Sequence, residues 1–282
     1  MTQPDLPPEL RQSVRQAATH PGFEKLARFG YAAKGTVYFI VGLLAAQAAV
    51  GTGGRTTDAS GALQEILVQP FGKLLLSLLT VGLLGYALWR FVQAVLDPEA
   101  ASRDRPEKRI VQRIGYLMSA IAYAGLALTA VKLVLETGGA DGKAPQDWTE
   151  QLLAQPFGQW LVGLAGAIVL SVGLSYFYQA YTAKFQQHFK LNQMSPTERT
   201  WSKRLGRFGI AARGVVFCII GLFLMLAALR SDASRVKGLG EVLAVLAQQP
   251  FGPWLLGVVA LGLIAYSIHS LVEARYRQII RA

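Results

Sequence analysis

The sequence predicts an all-α polytopic membrane protein: six transmembrane helices in three tandem two-helix repeats, with short interfacial helices in the intra-repeat loops. Three observations predict it. Six apolar blocks, at about 29–50, 73–96, 114–135, 157–182, 208–229 and 252–274, each reach the roughly 20 residues a helix needs to cross a bilayer core. Gln-Pro-Phe-Gly occurs three times, each time closing a polar loop and opening an apolar block: Gln69, Pro70, Phe71, Gly72; Gln155, Pro156, Phe157, Gly158; Gln249, Pro250, Phe251, Gly252. Upstream lies Arg-Phe-Gly or Arg-Ile-Gly, and the distances Gly30 to Pro70, Gly115 to Pro156 and Gly209 to Pro250 are 40, 41 and 41 residues.

These signals divide the chain into an N-terminal tail (1–27), repeat 1 (28–97), a linker (98–112), repeat 2 (113–182), a second linker (183–206), repeat 3 (207–276) and a C-terminal tail (277–282). No ten-residue alternation points to an outer-membrane barrel. The Pro-rich, mixed-charge leader has no signal-peptide pattern, so the first helix is expected to be retained. Leu10, Val14, Ala17 and Ala18 fall at helical spacing beside Arg11 and Arg15, which fits a short surface helix or a disordered tail.

Composition excludes several classes. With 52% hydrophobic and 16% charged residues, the chain has no separate basic domain to carry its net charge of +11 to nucleic acid. The charge is instead asymmetric. The intra-repeat loops carry only Arg55, Lys143, Arg230, Arg235 and Lys237, whereas the tails and linkers hold half of the 28 Lys and Arg. The positive-inside rule then puts both termini and both linkers in the cytoplasm, where a basic rim attracts anionic lipid. Cys218 is the single cysteine, so no disulfide or C-x-x-C site is available. No metalloprotease, phosphate-loop or Cys/His pattern is present, and His20, His188 and His269 are scattered. No cofactor, metal or catalytic residue is expected.

Along the chain, small residues recur every seven positions in the first helix (Gly35, Gly42, Ala49) and the fifth (Gly214, Gly221, Ala228). The third helix has Ala120, Ala127 and Val134 there. Helices in lipid associate through close packing of small residues, so these stripes are expected to face inward with the aromatic row Tyr38, Tyr123 and Phe217. The loop segments carry apolar stripes (Leu63, Ile66, Leu67; Leu152, Leu153; Leu239, Val242, Leu243, Leu246), expected in the membrane interface. Asp147 and Glu150 have capping-box spacing. The Pro of each Gln-Pro-Phe-Gly suits the first turn of the following helix. Among the even helices, Gly82, Tyr86, Trp89 and Gln93 share a face. So do Gly262, Tyr266, His269 and Glu273, while Ile168, Val172, Ser175 and Gln179 depart from the pattern.

Ionisable groups inside apolar blocks are the default functional candidates. Lys34, Ser119 and Arg213 stand four residues after the motif glycines, level with Gln93, Gln179 and Glu273 on the returning helices. The expectation is three intra-repeat polar staples: Lys34–Gln93, Ser119–Gln179 and Arg213–Glu273. Two alternatives stay open: a positive ring at the cytoplasmic mouth that binds an anion or lipid, and proton-linked chemistry through Glu273 and His269. Arg90 reads as a positive-inside anchor.

With Arg-Phe-Gly-Tyr-Ala-Ala-Lys-Gly (Arg28–Gly35), Arg-Phe-Gly-Ile-Ala-Ala-Arg-Gly (Arg207–Gly214) and the three Gln-Pro-Phe-Gly turns in view, the chain resembles the bacterial domain-of-unknown-function 1206 family, integral membrane proteins of tandem two-helix units. The resemblance covers nearly all of residues 26–276, and repeat 2 departs most. It implies the architecture and a bacterial inner membrane, and no activity. Three two-helix units with a short helix in each loop also match the layout of mitochondrial carriers, without their signature, and suit a pseudo-threefold bundle. The functional expectation is a non-enzymatic membrane protein, structural or interaction-forming or lipid-binding. Its partners would be the bilayer with its anionic lipid, and a further copy or another membrane protein. The alternative is a transporter or channel for a small anionic solute.

Overall fold

The computed structural model describes residues 20–96, 106–137 and 144–279. The stretch expected to form a surface helix around Leu10–Ala18 lies outside the described residues. Nine α-helices are described: α1 (Pro21–Ala49), α2 (Ala59–Leu67), α3 (Gly72–Leu96), α4 (Pro106–Val134), α5 (Ala144–Leu153), α6 (Gly158–Thr182), α7 (Pro196–Arg230), α8 (Leu239–Ala247) and α9 (Gly252–Tyr276). Six of them (α1, α3, α4, α6, α7, α9) are long and apolar enough to span a membrane.

The odd members of each pair begin well before the apolar blocks do. α1 starts at Pro21 with the His20 ring accepting from Gly22 N, and α7 starts at Pro196 behind a Ser195/Glu198 capping box. Hydropathy locates the buried portion of a helix, whereas caps and an N1 proline set its true start. Residues assigned to the tail and the linkers thus belong to helices. Asp147 does not cap α5; it lies inside that helix's first turn.

The Gln-Pro-Phe-Gly segments are β-turns, not helix starts. Gly72, Gly158 and Gly252 donate backbone N–H to the carbonyls of Gln69, Gln155 and Gln249 at 2.8, 2.9 and 2.7 Å. Proline occupies the second turn position, and Phe71, Phe157 and Phe251 the third, with φ of 61°, 67° and 62°. A left-handed phenylalanine costs about 1–2 kcal/mol relative to a right-handed one. The glycine after it is required, because a Cβ there would collide with the carbonyl of Leu67, Leu152 or Ala247. The three phenyl rings project outward with Trp160 and Trp254, each about four-fifths exposed, forming an aromatic belt at the loop end.

The spanning helices form a pseudo-threefold ring in which each repeat leans on its predecessor. The first helix of each repeat packs on the second helix of the one before: α4 on α3, α7 on α6, and α1 on α9, so that the last repeat meets the first and the ring stays open between α4 and α6. The seven-residue stripes make these contacts. A Cβ on Gly42 would lie 2.9 Å from Ile264, and one on Gly221 2.6 Å from the Leu170 nitrogen. The stripes therefore face the neighbouring repeat, not the centre. Within repeats α1 meets α3 and α7 meets α9, but α4 and α6 do not pack against each other.

The motif arginines tie the same three junctions. Arg113 donates to the carbonyls of Ala94 (2.6 Å) and Val95 (3.2 Å) at the end of α3, and Arg207 to those of Ala180 (2.9 Å) and Tyr181 at the end of α6. Arg28 donates to Ala274 (2.8 Å), Arg275 (2.6 Å) and Arg277 (3.2 Å) at the end of α9. Helix C-termini leave carbonyls unsatisfied, and a guanidinium satisfies two or three while complementing the dipole. Replacing Arg28, Arg113 or Arg207 by Gln is expected to cost about 1.5–3 kcal/mol each, as charged hydrogen bonds do. Thermal unfolding in detergent checks this, with Lys recovering part of the loss.

The loop helices α2 and α8 close one end of the ring instead of lying flat in the interface, whereas α5 leaves Trp148 and Leu152 exposed. Ala62, Leu63 and Ile66 of α2 and Val242 and Leu243 of α8 join the same buried cluster as Val37, Val41, Leu76, Leu83, Ala127, Leu256 and Leu263. The loops also bond to one another: Gln146 Nε2 donates to Glu241 at 2.9 Å and to the Val236 carbonyl at 3.2 Å. An apolar stripe reads the same whether it faces lipid or a bundle end, which is why its spacing alone misplaces it.

Candidate functional site

At the opposite, linker end the ring interior is polar and aromatic. Beside Tyr31 (α1) and Tyr116 (α4), each spanning helix delivers one ring to it: Tyr38 (α1), Tyr86 (α3), Tyr123 (α4), Tyr176 (α6), Phe217 (α7) and Tyr266 (α9). They pack edge to face in three pairs, Tyr38–Tyr266, Tyr86–Tyr123 and Tyr176–Phe217, with centroids 5.0, 4.6 and 5.4 Å apart. This is the geometry in which the electropositive edge of one ring meets the face of the next.

Four cations sit among these rings, Arg277 lying over that of Tyr31. Lys34 is 1% exposed, its ammonium about 5 Å from the ring centres of Tyr31, Tyr86 and Tyr266. The Arg90 guanidinium faces Tyr31, Tyr86 and Tyr116, and that of Arg213 faces Tyr38, Tyr176, Phe217 and Tyr266. Ring faces attract cations most strongly where water is absent.

One tyrosine hydroxyl joins Lys34 and Arg213 into a line, and a second holds Arg90. The Tyr266 hydroxyl accepts from Lys34 at 3.2 Å and from Arg213, and the Tyr86 hydroxyl accepts from both Nε (2.7 Å) and Nη2 of Arg90. Because each oxygen's lone pairs face cations, its own O–H remains to donate elsewhere. Tyr86 and Tyr266 occupy the same place in repeats 1 and 3, as do Lys34 and Arg213.

Glu273 anchors the line. Its carboxylate accepts from Lys34 at 3.3 Å and from Arg277, and all three side chains are buried. This overturns the expected staples. Glu273 joins repeat 3 to repeat 1 through Lys34 and does not meet Arg213. Gln93 accepts from Arg90 at 3.0 Å, not from Lys34. Ser119 and Gln179 are half-buried and not hydrogen-bonded to one another, because their helices stand apart. Lys34 and Glu273 meet across repeats because α1 packs more closely on α9 than on its own partner α3.

Arg90 is no surface anchor either, because it belongs to the aromatic cluster. His269 is buried beside Phe185 (4.8 Å between ring centres) and Phe189 (5.8 Å), its Nδ1 without a hydrogen-bond partner. Those phenylalanines come from the second linker, which folds over the end of α9. Lys190 N donates to the Tyr276 carbonyl, and Gln278 N to that of His188, each at 2.8 Å. The Gln-Pro-Phe-Gly turns lie at the other end of the helices, remote from this cluster.

Arg90 and Arg213 are the unusual members. Neither makes an ion pair with a described carboxylate, and Arg213 Nε is buried without a hydrogen bond. Lys34 and Arg213 share the Tyr266 hydroxyl, so they are within about 6 Å, two hydrogen-bond lengths. At an effective dielectric of about 20, two like charges at that distance repel by about 3 kcal/mol. The site is built to hold more positive charge than Glu273 offsets, which is the electrostatic condition for binding an anion.

Comparison with known proteins agrees with the architecture. The family model described as Domain of Unknown Function (DUF1206) matches three times, over residues 29–97, 114–183 and 208–277. The uncharacterized protein YxxB of Bacillus subtilis (strain 168) is 37% identical over 259 residues, 92% of this chain and 93% of its own. No solved structure matches the chain. Neither the family nor the relative points to catalysis. The three matches coincide with the three units of the ring, and the chain belongs to the DUF1206 family, with six apolar helices suited to a bacterial membrane.

Proposed function

We propose that this protein is a non-enzymatic, lipid-binding component of the bacterial cytoplasmic membrane whose linker-end cluster holds the phosphate of an anionic lipid. The observation that carries the reading is the pair of guanidiniums, Arg90 and Arg213, set among tyrosines without a carboxylate in ion-pair reach. A headgroup phosphate offers the acceptors those donors and the Tyr86 and Tyr266 hydroxyls require. A blind site is favoured over a transport pathway because Val37, Val41, Leu83 and Leu263 fill the interior between the cluster and the loop end. The basic linkers support a cytoplasmic placement of the cluster, where anionic headgroups concentrate. Reporter fusions at Gly139 and Ser195 are expected to land outside and inside the cell respectively.

Native mass spectrometry after gentle extraction from membranes containing phosphatidylglycerol and phosphatidylcholine tests the proposal. The expected result is retained anionic lipid. Arg213→Gln or Arg90→Gln should lower its occupancy about tenfold, the loss of one charged hydrogen bond. Arg204→Gln, at a surface arginine stacked on Trp201, should leave it unchanged. Retention indifferent to headgroup charge, or to both cluster arginines, overturns the reading.

A further inference from the structure

We infer that the gap between α4 and α6 is a lateral seam that seats the acyl chain of the bound anionic phospholipid, with its headgroup turned inward to Arg90 and Arg213. The inference rests on the function proposed above and adds the route and the pose.

The seam is the one intra-repeat junction that does not close, and repeat comparison gives the cause. In repeat 1, Gly82 meets Ala33, an added Cβ lying 2.5 Å from the Ala33 methyl, and Gly30 lies against the Tyr86 backbone. Repeat 3 has the same contacts, Gly262 against Ala212 and Gly209 against Tyr266. In repeat 2 the equivalents of Ala33 and Gly82 are Met118 and Ile168, both exposed. Two bulky side chains stand where the other repeats have a methyl and a hydrogen, so the close approach that joins α1 to α3 and α7 to α9 is not available here. Gly115, the counterpart of Gly30 and Gly209, and Gly125 one helix face further on have nothing within 4 Å of an added Cβ.

In a bilayer such a gap fills with hydrocarbon, because voids forfeit dispersion contacts on both walls. Charge then selects which lipid. At headgroup level the seam is flanked by Tyr116 of α4, 5.3 Å from the Arg90 guanidinium, and Tyr176 of α6, 5.1 Å from that of Arg213. Between them Ser119 replaces the cation that repeats 1 and 3 carry, so this side of the cluster has a hydroxyl and room in place of a long basic side chain. An anionic phospholipid satisfies both halves of the seam: its chain covers Met118 and Ile168, and its phosphate reaches the guanidiniums.

The test places a benzophenone amino acid at Met118, at Ile168 and, as a control on the outer face of α3, at Leu88, in vesicles of equal phosphatidylglycerol and phosphatidylcholine. Irradiation is expected to give adducts at Met118 and Ile168 enriched at least threefold in phosphatidylglycerol, with no enrichment at Leu88. Arg213→Gln should abolish the enrichment. Closing the seam with Met118→Ala/Ile168→Gly should lower lipid retention while leaving every cluster residue in place. Adducts at the vesicle ratio from all three positions, with anionic lipid still retained in mass spectrometry, overturn the seam and leave the proposed function standing. Chain-to-chain adducts at Met118 or Ile168 also overturn it, since a second copy would then fill the gap. Loss of both retention and enrichment defeats the two proposals together.

Discussion

Glu273→Gln is expected to be among the most damaging single substitutions in the protein. It leaves Lys34, which is 1% exposed, and Arg277, which is 7% exposed, beside a neutral amide where their shared carboxylate had been. Removing one partner of a buried pair costs about 3–5 kcal/mol, because the remaining charge is neither hydrated nor matched. At about 2–4 °C per kcal/mol for a chain of this size, the apparent melting temperature should fall by about 6–20 °C. Lys34→Met should cost less, since Arg277 still holds Glu273. The double variant Lys34→Met/Glu273→Gln should be more stable than Glu273→Gln alone. Charge exchange separates this arrangement from the intra-repeat one. Lys34→Glu/Glu273→Lys should recover part of what either single change loses, whereas Arg213→Glu/Glu273→Arg should recover nothing. Scanning fluorimetry of all six variants in one detergent decides it. Rescue by the second exchange and not by the first would sink the inter-repeat pairing.

That contrast shows where sequence reasoning reached its limit. The three repeats, the six spans and the shared face of Gly82, Tyr86, Trp89 and Gln93 with Gly262, Tyr266, His269 and Glu273 were legible because periodicity and composition express them locally. Lys34, Arg213 and Glu273 were recognised as belonging at one depth for the same reason. Which of them touch depends on ring closure, a property of the pairing between first and last repeats that no spacing encodes. The motif arginines illustrate it best. Arg28, Arg113 and Arg207 stood out by repetition, yet each caps a helix of another repeat, and Arg28 reaches carbonyls about 250 positions away, as at Arg277. The left-handed Phe71, Phe157 and Phe251 were hidden for a different reason: the third position of such a turn normally takes glycine, so a phenylalanine there gives no sign of the turn. The departure of Met118 and Ile168 from their counterparts was visible in the sequence, but its meaning required seeing the helices stand apart.

The same departure produces the second large effect, a difference between equivalent glycines. Gly209→Ala and Gly30→Ala are expected to destabilise strongly, because the new Cβ would lie 2.6 Å from Tyr266 Cα and 2.5 Å from the Tyr86 nitrogen. Backbone cannot yield as a flexible side chain does, so α7 must separate from α9, or α1 from α3, at a cost of about 1–3 kcal/mol or more. The tyrosines at those contacts also hold the cations, so the separation should loosen Lys34 and Arg213 and lower lipid retention with stability. Gly115→Ala, at the motif copy of the middle repeat, should do the reverse. With open space around it and helical backbone, alanine gains about 1 kcal/mol in helix propensity. Thermal unfolding and lipid retention of the three alanine variants, prepared in parallel, test the asymmetry. Should Gly115→Ala lose as much as Gly209→Ala, α4 and α6 must close against each other in the membrane. The seam would then not exist there, and a phospholipid could not be seated in it. Should it gain while the others lose, the middle repeat has kept the motif glycine without the contact that glycine serves elsewhere, and the gap left in its place is open to lipid.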